Sequence, residues 1–462
     1  MNDRLVADLT VVGAGPAGYV AALRAARLGA RVVLVEKAEL GGCCLNWGCI
    51  STKALLRSVG IQELALRARE FGLSAADYKA DFPKAKERAD RAVRQLRSSL
   101  ELLMRQKKII VVRGSARIAG PKRTIVALKE GGEQEIESRA VIVATGSRPS
   151  VPPIPGADKK GVLTSDDVLA LQELPSSAVV VGAGPVGLEF GYILTAMGCE
   201  IVVLEMESHI LPAEDEEVAN ELAKALHRRG PDIRCNARVM EIADCPAGKR
   251  VVYSDGEKRG EVEAACVIMA VGRLPCGEGL GLEELGVQIR RGTIRVNEKM
   301  ETGAAGIYAA GDVIGPPLLA HAASAEGRVA AANALGGDEV MSYKAVPACV
   351  YTTPEYASVG LTESRARERG DILVGRFPMR ALGRAVAEGE REGMVKIVAD
   401  AESHVILGAQ ILGPHATELI GEAALAIHLA ATCEQVAGAV HAHPTFSEAI
   451  MEAAGSAIED VS

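Results

Sequence analysis

The chain has 462 residues, 48 % of them hydrophobic and only 3 % aromatic, with a formal net charge of -8. That length exceeds one ordinary core and predicts two to four domains. The negative balance supplies no global positive field to release counterions, which argues against a nucleic-acid partner, and no run of about 18 apolar residues predicts a membrane span.

In chain order, a β-branched run at Leu9–Val12 predicts the first strand. It is reached within about ten residues, with no charged-then-apolar leader, so no targeting signal and a cytoplasmic location are expected. Gly13-Ala14-Gly15-Pro16-Ala17-Gly18 follows, then an Ala/Leu-rich helix, then a second strand (Arg31–Val35) ending at Glu36. The whole pattern returns 169 positions later: Val179–Val181, Gly182-Ala183-Gly184-Pro185-Val186-Gly187, a helix, Glu200–Leu204 and Glu205. Each copy is a complete βαβ dinucleotide fingerprint. Its glycines allow a tight turn and close backbone approach, a pyrophosphate sits on the helix N-terminus, and the acid meets the ribose hydroxyls. A lone GxGxxG also closes helices onto sheets without any ligand; two copies with the acid at matching spacing weigh against that reading.

Between the copies lies Gly41-Gly42-Cys43-Cys44-Leu45-Asn46-Trp47-Gly48-Cys49-Ile50-Ser51-Thr52-Lys53. Cys44 and Cys49 are five positions apart, directly after the first fingerprint. A thiol pair against a flavin can pass two electrons, so the first unit is expected to hold FAD and the second a nicotinamide nucleotide. On a regular helix their Cα atoms would stand about 8.6 Å apart on different faces, beyond the roughly 7 Å a disulfide tolerates. The segment is therefore predicted to be a distorted first helical turn, with Gly48 supplying the freedom. A helix N-terminus and the nearby Lys53 are expected to lower the thiol pKa. Cys43 reads as a small packing neighbour that could compete in exchange. The ten cysteines otherwise show no metal-type clustering, which suits a cytosolic protein with one catalytic pair. Glu205 would accept bonds from a free 2′-hydroxyl and repel a 2′-phosphate, and Met206-Glu207-Ser208-His209 adds no cation, so NAD is expected over NADP.

Residues 84–108 predict a long helix with apolar positions Val93, Leu96, Leu100, Leu103 and Met104; its nine Lys/Arg against three Asp/Glu read as a solvated face. Ala140–Val143, Val267–Ala270 and Ile307–Ala310 read as further strands, the last ending on Gly311-Asp312. The Pro-rich stretch Val151–Pro155 predicts a domain boundary. After Pro347, short strands and Ala-rich helices predict a separate α+β unit. There His441-Ala442-His443-Pro444-Thr445-Phe446-Ser447-Glu448 offers a histidine base for thiol exchange, with a glutamate five residues on to orient it.

The GGxCLNxGC…K segment, Gly311-Asp312, Tyr351-Thr352-Thr353-Pro354-Glu355 and the HxHPTxSE stretch stand in order over the whole length. By these the chain resembles the dihydrolipoamide dehydrogenase branch of the two-dinucleotide flavoprotein disulfide reductases. The resemblance implies an α/β fold: two Rossmann-like dinucleotide-binding domains plus a C-terminal α+β dimerisation domain. Residues 1–148 would form the FAD-binding domain, 149–275 the NAD-binding domain, 276–345 the return to the FAD domain, and 346–462 the dimerisation domain. Cys44 would be the exchange thiol and Cys49 the charge-transfer thiol. Lys53, paired with Glu189, would be the cation near the flavin. His443 and Glu448 would be the acid–base pair, delivered from the other subunit of a homodimer. Flavin contacts would include Gly13, Gly15, Gly18, Glu36, Lys53, Gly114, Thr145, Gly146, Asp312 and Leu319-Ala320-His321; NAD contacts would include Gly182, Gly184, Gly187, Glu205, Val239 and Gly272. No metal is implied.

The implied activity is oxidation of dihydrolipoamide to lipoamide with NAD⁺ as final acceptor. The substrate would be carried by another chain, a lipoyl-bearing acyltransferase or carrier protein of a 2-oxo acid dehydrogenase or glycine cleavage complex. A superfamily member acting on glutathione, mycothiol or mercuric ion is the nearest alternative. Glu205 disfavours the NADPH-driven ones, and the lack of a C-terminal cysteine pair disfavours mercury. A docking subunit with a decayed redox site would not need all of Cys44, Cys49, Lys53, His443 and Glu448. Cys43, Ser51, Thr52, Cys276 and Leu382 depart from the usual family residues. They raise the question of how tightly the segment after Cys49 is held.

Overall fold

The computed structural model describes residues 4–74, 80–256 and 258–459. The chain divides into two compact units: Met1–Ala54, Ala85–Ser150 and Gly272–Tyr343 form the first, and Leu55–Lys84, Val151–Val271 and Lys344–Ser462 the second.

The first unit starts with β1 (Leu5–Val12), α1 (Pro16–Arg27) and β2 (Val32–Glu36), then α2 (Gly42–Trp47), α3 (Cys49–Leu66) and α4 (Phe82–Gln106), the last two running on into or out of the second unit. The long strands β3 (Ile110–Gly120), β4 (Arg123–Leu128) and β5 (Glu133–Val143) follow. β1 pairs in parallel with β2 and β5, β2 with β3, and β5 with the returning strand Ile307–Ala309; β4 joins β3 to β5 antiparallel. The parallel strands are apolar on both faces because both are covered: Leu9, Val11, Val32 and Leu34 pack against α1 and α4 on one face, and Val33 and Val35 pack with Val112, Val126 and Ile136 of β3–β5 on the other. All of β2 and the last four residues of β5 are buried.

Scarcity of aromatics is compensated by close helix packing. Ala17, Ala21 and Ala25 of α1 share a core with Ala323, Ala330 and Ala331 of the helix Ala320–Ala334. A Cβ on Gly327 would come within 2.3 Å of the Ala17 carbonyl, so only glycine permits that approach. In α4 the stripe Val93, Leu100 and Met104 is buried and Leu103 packs beside it, but Leu96 is 42 % exposed. Leu96 lies on the margin of the stripe, about 60° from Val93.

In the second unit the strands Asp232–Arg234, Glu200–Leu204, Ser177–Val181, Cys266–Met269 and Val162–Thr164 form a parallel sheet in that order. An antiparallel three-stranded sheet (Arg238–Cys245, Gly248–Ser254, Arg259–Ala264) packs on it through Val239, Ile242 and Val251. The C-terminal part is an antiparallel sheet in the order Ala348–Val350, Glu355–Gly360, Ile406–Gly413, Met394–Asp400, Ile372–Pro378. Helices Ala416–His428 and Glu448–Glu459 share its core.

One buried cation ties this sheet to the helix Glu216–His227. The Lys396 side chain is 2 % exposed, and its Nζ lies 2.9 Å from Asp215 Oδ1 and 2.8 Å from both Glu217 Oε2 and Glu363 Oε2. Asp215 is also the N-cap of that helix. Burial alone would raise the Glu363 pKa, but hydrogen bonds from Lys396 and Arg367 outweigh it and bring it down to about 2. A depressed carboxylate contributes stability above its unfolded pKa and loses it as pH falls toward the folded one. Lys396→Met keeps most of the side-chain volume but removes the buried cation that three carboxylates share, and should cost about 3–5 kcal/mol in urea unfolding at pH 7. The deficit should shrink as pH falls from about 4.5 toward 2; a pH-independent deficit would contradict this account.

Candidate active site

The two fingerprints fold alike. Gly13 has φ +99 and Gly182 φ +102, and a Cβ would sit 2.3 Å from the Ala144 carbonyl oxygen at the first and 2.6 Å from that of Ala270 at the second. A Cβ on Gly18 or Gly187 would strike the Gly13 or Gly182 carbonyl at 1.8 or 2.0 Å, which fixes glycine where helix meets strand. Gly15 and Gly184 differ: a Cβ meets nothing closer than 4.0 Å. These are the N-caps of α1 and of helix Pro185–Ala196, neither has a side-chain cap, and each helix carries Pro in its first turn. The helix N–H groups and dipole thus face open space, the arrangement that takes a phosphate.

The two strand-end acids are buried and do more than wait for a ribose. Glu36 accepts from Ala14 N and Ala38 N, both at 2.7 Å. Glu205 accepts from Ala183 N at 2.6 Å and Glu207 N at 3.0 Å. Each carboxylate fastens its own glycine turn and keeps further lone pairs for ribose hydroxyls.

The cysteine segment is seated on the first turn. Gly41 N–H donates to Ala14 O at 2.8 Å. Gly42 approaches so closely that its Cβ would lie 2.6 Å from Gly15 Cα. Asn46 Nδ2 donates to Leu40 O and Gly42 O, both at 2.9 Å, while its Oδ1 is buried without a hydrogen-bond partner. The expected distorted first turn is instead a clean break: α2 stops at Trp47, Gly48 leaves the helix, and α3 begins at Cys49. A Cβ on Gly48 would come within 2.9 Å of Cys43 O and 3.2 Å of Cys44 Cα. That approach brings the Cys44 and Cys49 thiols, neither of them in a disulfide, into hydrogen-bond contact. Ser51 and Thr52 are buried, and Thr52 Oγ1 donates to Gly48 O at 2.8 Å. Thr52, one of the departures from the family pattern, thus ties the start of α3 back to the break.

The expected lowering of the thiol pKa is not met at Cys44. The hydrogen bond with Cys49 raises it most, then burial, then the charges of Cys49 and Cys43; Lys53 alone opposes them. Cys44 lies in the first turn of a helix only six residues long, whose dipole is weak, and its neighbour's hydrogen bond and charge dominate. Cys43 faces the Trp47 carbonyl at 3.8 Å. Tyr19 of α1, which sequence reasoning missed, stands beside the pair: its pKa is raised by burial, then by the charges of Cys44 and Cys49.

The other residues expected around a flavin lie in the first unit. Thr145 Oγ1 donates to Cys276 O at 2.8 Å. Ser147 donates to Asp312, and Arg273 Nε donates to Ser147 Oγ at 2.7 Å, which fixes the Asp312 carboxylate. Gly146 turns at φ +70. Leu319 is the N-cap, without a side-chain bond, of the helix that opens with Ala320 and His321. Gly114 is glycine for a different reason: in β3 its Cβ would meet the Ala127 carbonyl of β4 at 2.3 Å. The uncapped helix starts, the clear space at Gly15 and the orphaned Asn46 oxygen fit a dinucleotide here, and Gly184 with its helix fits one in the second unit. Val239 is buried in the core of the second unit and pairs with Tyr253 of the neighbouring strand; Gly272, at the start of the last segment of the first unit, turns at φ +105 with clear space at its Cβ.

In the second unit, Glu189 is 5 % exposed and accepts from Tyr351 N at 3.1 Å; Lys53 belongs to the first. His443 Nδ1 donates to Glu448 Oε1 at 2.8 Å, and Thr445 N donates to Glu448 Oε2 at 2.7 Å. The Thr445 N–H and then His443 hold the Glu448 carboxyl below its ordinary range. With Nδ1 committed to the carboxylate as donor, Nε2 is the ring nitrogen left to accept a proton, and the side chain is 76 % exposed. Two residues earlier, His441 turns inward to Glu422, 19 residues upstream. No spacing rule points to that partner.

Two family models match: pyridine nucleotide-disulphide oxidoreductase over residues 7–327 and its dimerisation domain over 346–454. The chain is 41 % identical to the dihydrolipoyl dehydrogenase of Chlorobaculum parvum over 98 % of this chain and 97 % of the other. It is 43 % identical to that of Thermus scotoductus over 97 % and 96 %. Among solved structures it resembles LpdA from Mycobacterium tuberculosis, with a TM-score of 0.89 at 30 % identity over 98 % of this chain and 99 % of that one. It also resembles the HOCl-induced flavoprotein disulfide reductase RclA from Escherichia coli, with a TM-score of 0.85 at 29 % identity over 97 % and 99 %.

The close approach at Gly48 makes it the weak point of the thiol geometry. Gly48→Ala should destabilise the protein by about 1–3 kcal/mol through overpacking and slow closure of the Cys44–Cys49 disulfide. Thermal melting and thiol titration after mild oxidation measure both; wild-type disulfide closure would contradict the reading.

Proposed function

This chain belongs to the pyridine nucleotide-disulphide oxidoreductases, and on that premise we propose that it oxidises dihydrolipoamide to lipoamide with NAD⁺ as acceptor, as a homodimer. The observation that carries the reading is the Cys44–Cys49 contact across the Gly48 break, seated on the first nucleotide fingerprint. The dehydrogenases it resembles at about 40 % identity supply the substrate class. We read residues 1–148 and 276–345 as the FAD domain, 149–275 as the NAD domain and 346–462 as the dimerisation domain.

In the oxidised enzyme a substrate thiolate attacks Cys44; the Cys44–Cys49 bond breaks and Cys49 leaves as thiolate. His443, its tautomer set by Glu448, takes the substrate's proton. The second substrate sulfur then displaces Cys44, closing the lipoamide disulfide and leaving a protein dithiol two electrons richer. The raised pKa of Cys44 keeps the proton there and the negative charge on Cys49. Lys53 counters that charge, and Glu189 is its carboxylate partner in this reading. FAD and NAD, when bound by Gly13–Gly18 with Glu36 and by Gly182–Gly187 with Glu205, supply two-electron transfer between dithiol and nicotinamide. A lipoyl-bearing acyltransferase or carrier protein of a 2-oxo acid dehydrogenase or glycine cleavage complex would deliver the substrate.

Cys44→Ser should abolish dihydrolipoamide oxidation while NADH oxidation by ferricyanide persists; full dithiol turnover in that variant would refute the assignment. NADH should outperform NADPH by at least about a hundredfold in kcat/KM, given the buried Glu205 carboxylate. Comparable use of NADPH at micromolar concentration would overturn the nucleotide assignment. Mixing inactive Cys44→Ser and His443→Gln chains should restore about a quarter of the activity if each site draws on both subunits. No recovery in demonstrated hybrid dimers would place the base in the same chain as the thiols.

A further inference from the structure

His441 is built into the fold in a way the exchange chemistry does not require. Its side chain is 8 % exposed, against 76 % for His443 two residues on. Nδ1 lies 3.0 Å from the Ala439 carbonyl oxygen and Nε2 lies 2.7 Å from Glu422 Oε1. Both neighbours accept, so both ring nitrogens must carry hydrogen, and the ring is an imidazolium facing a carboxylate. Glu422 comes from the helix Ala416–His428. The charged groups facing His441 are Glu422 from that helix and Glu448 from Glu448–Glu459; its own strand of loop adds the Ala439 carbonyl. The same Glu448 orients His443. The segment is therefore pinned inward at His441 and at Phe446, which is 6 % exposed, while His443 between them projects outward.

We propose that the His441–Glu422 ion pair is a positioning device for His443: it fixes the loop that presents the base and sets, through Glu448, the charge that base feels. The inference rests on reading His443 as the proton acceptor for the substrate dithiol. Burial alone would lower the His441 pKa, but the Ala439 carbonyl and Glu422 outweigh it and raise it above the ordinary histidine value. A histidine raised in the folded state gives its full contribution below the unfolded pKa and loses it as pH climbs through the folded one. The loop is thus held through neutral pH and released on the alkaline side.

The test uses the flavin-loaded dimer and the pH profile of dihydrolipoamide oxidation, with NADH–ferricyanide turnover as the measure of intact fold. His441→Gln leaves the Glu422 charge unbalanced. It should cut kcat/KM about tenfold and raise the apparent pKa of the base by about half a unit. Glu422→Gln leaves the imidazolium unbalanced and should cut kcat/KM similarly while moving that pKa down; it also carries the test should the first variant not fold. The double variant restores neutrality and should return the pKa to the wild-type value. NADH–ferricyanide turnover should stay within about twofold throughout. Rates within twofold of wild type in both single variants would overturn the proposal, as would a loss of rate with no movement of the pKa. His443→Gln is measured beside them. If it kept wild-type dithiol oxidation, the base assignment itself would fall; if it were inactive while both other variants behaved as wild type, only this inference would.

Discussion

A continuous helix cannot bring residues five apart into contact, and the chemistry of this chain depends on such a contact. The backbone resolves the conflict by ending α2 at Trp47 and restarting as α3 at Cys49, with Gly48 between them pressed against Cys44 Cα. The break would be a floppy joint if left alone. It is held from both sides: Thr52 bonds back to the Gly48 carbonyl, and the entry turn Gly41-Gly42 lies on the Ala14-Gly15 turn. The sulfur pair and the first nucleotide fingerprint are therefore one rigid construction, with Asn46 as the strut between α2 and its own entry turn.

Charge follows from the same geometry. Two thiols in contact and half-withdrawn from water cannot both ionise, so one proton is retained and assigned to Cys44. Where chain architecture had suggested a helix dipole lowering that pKa, the helix containing Cys44 is too short and the neighbour too close. On the C-terminal loop the logic is different. His443 stands in water and is oriented by a carboxylate whose second oxygen is tied to a backbone N–H, which keeps Glu448 ionised and aimed.

What could be read from the sequence was whatever repeats or has a fixed spacing. The two βαβ fingerprints, their terminal acids, the thiol pair and the His443–Glu448 interval are local patterns, and local backbone rules place them. The buried stripe of α4 was legible by periodicity except at its margin, where Leu96 stays exposed because angular position alone does not say how far a neighbour reaches. Partners far apart in sequence were not legible. Glu422 meets His441 and Lys396 gathers Asp215, Glu217 and Glu363 only because sheets and helices from distant segments converge. Gly114 has a structural reason of its own that the sequence did not show: the antiparallel pairing of β3 with β4 demands glycine there.

The acid at the end of each fingerprint's second strand carries a consequence for attempts to alter coenzyme preference. Glu205 is a fastener of its own turn as well as the proposed reader of the ribose, since Ala183 N–H and Glu207 N–H both rely on its oxygens. Exchanging it for a small neutral residue to welcome an extra phosphate would unhook the loop proposed to cradle the pyrophosphate. A successful redesign must first find a new acceptor for those two amides, which makes the position costly for evolution to drift through and a poor single-residue target for engineering.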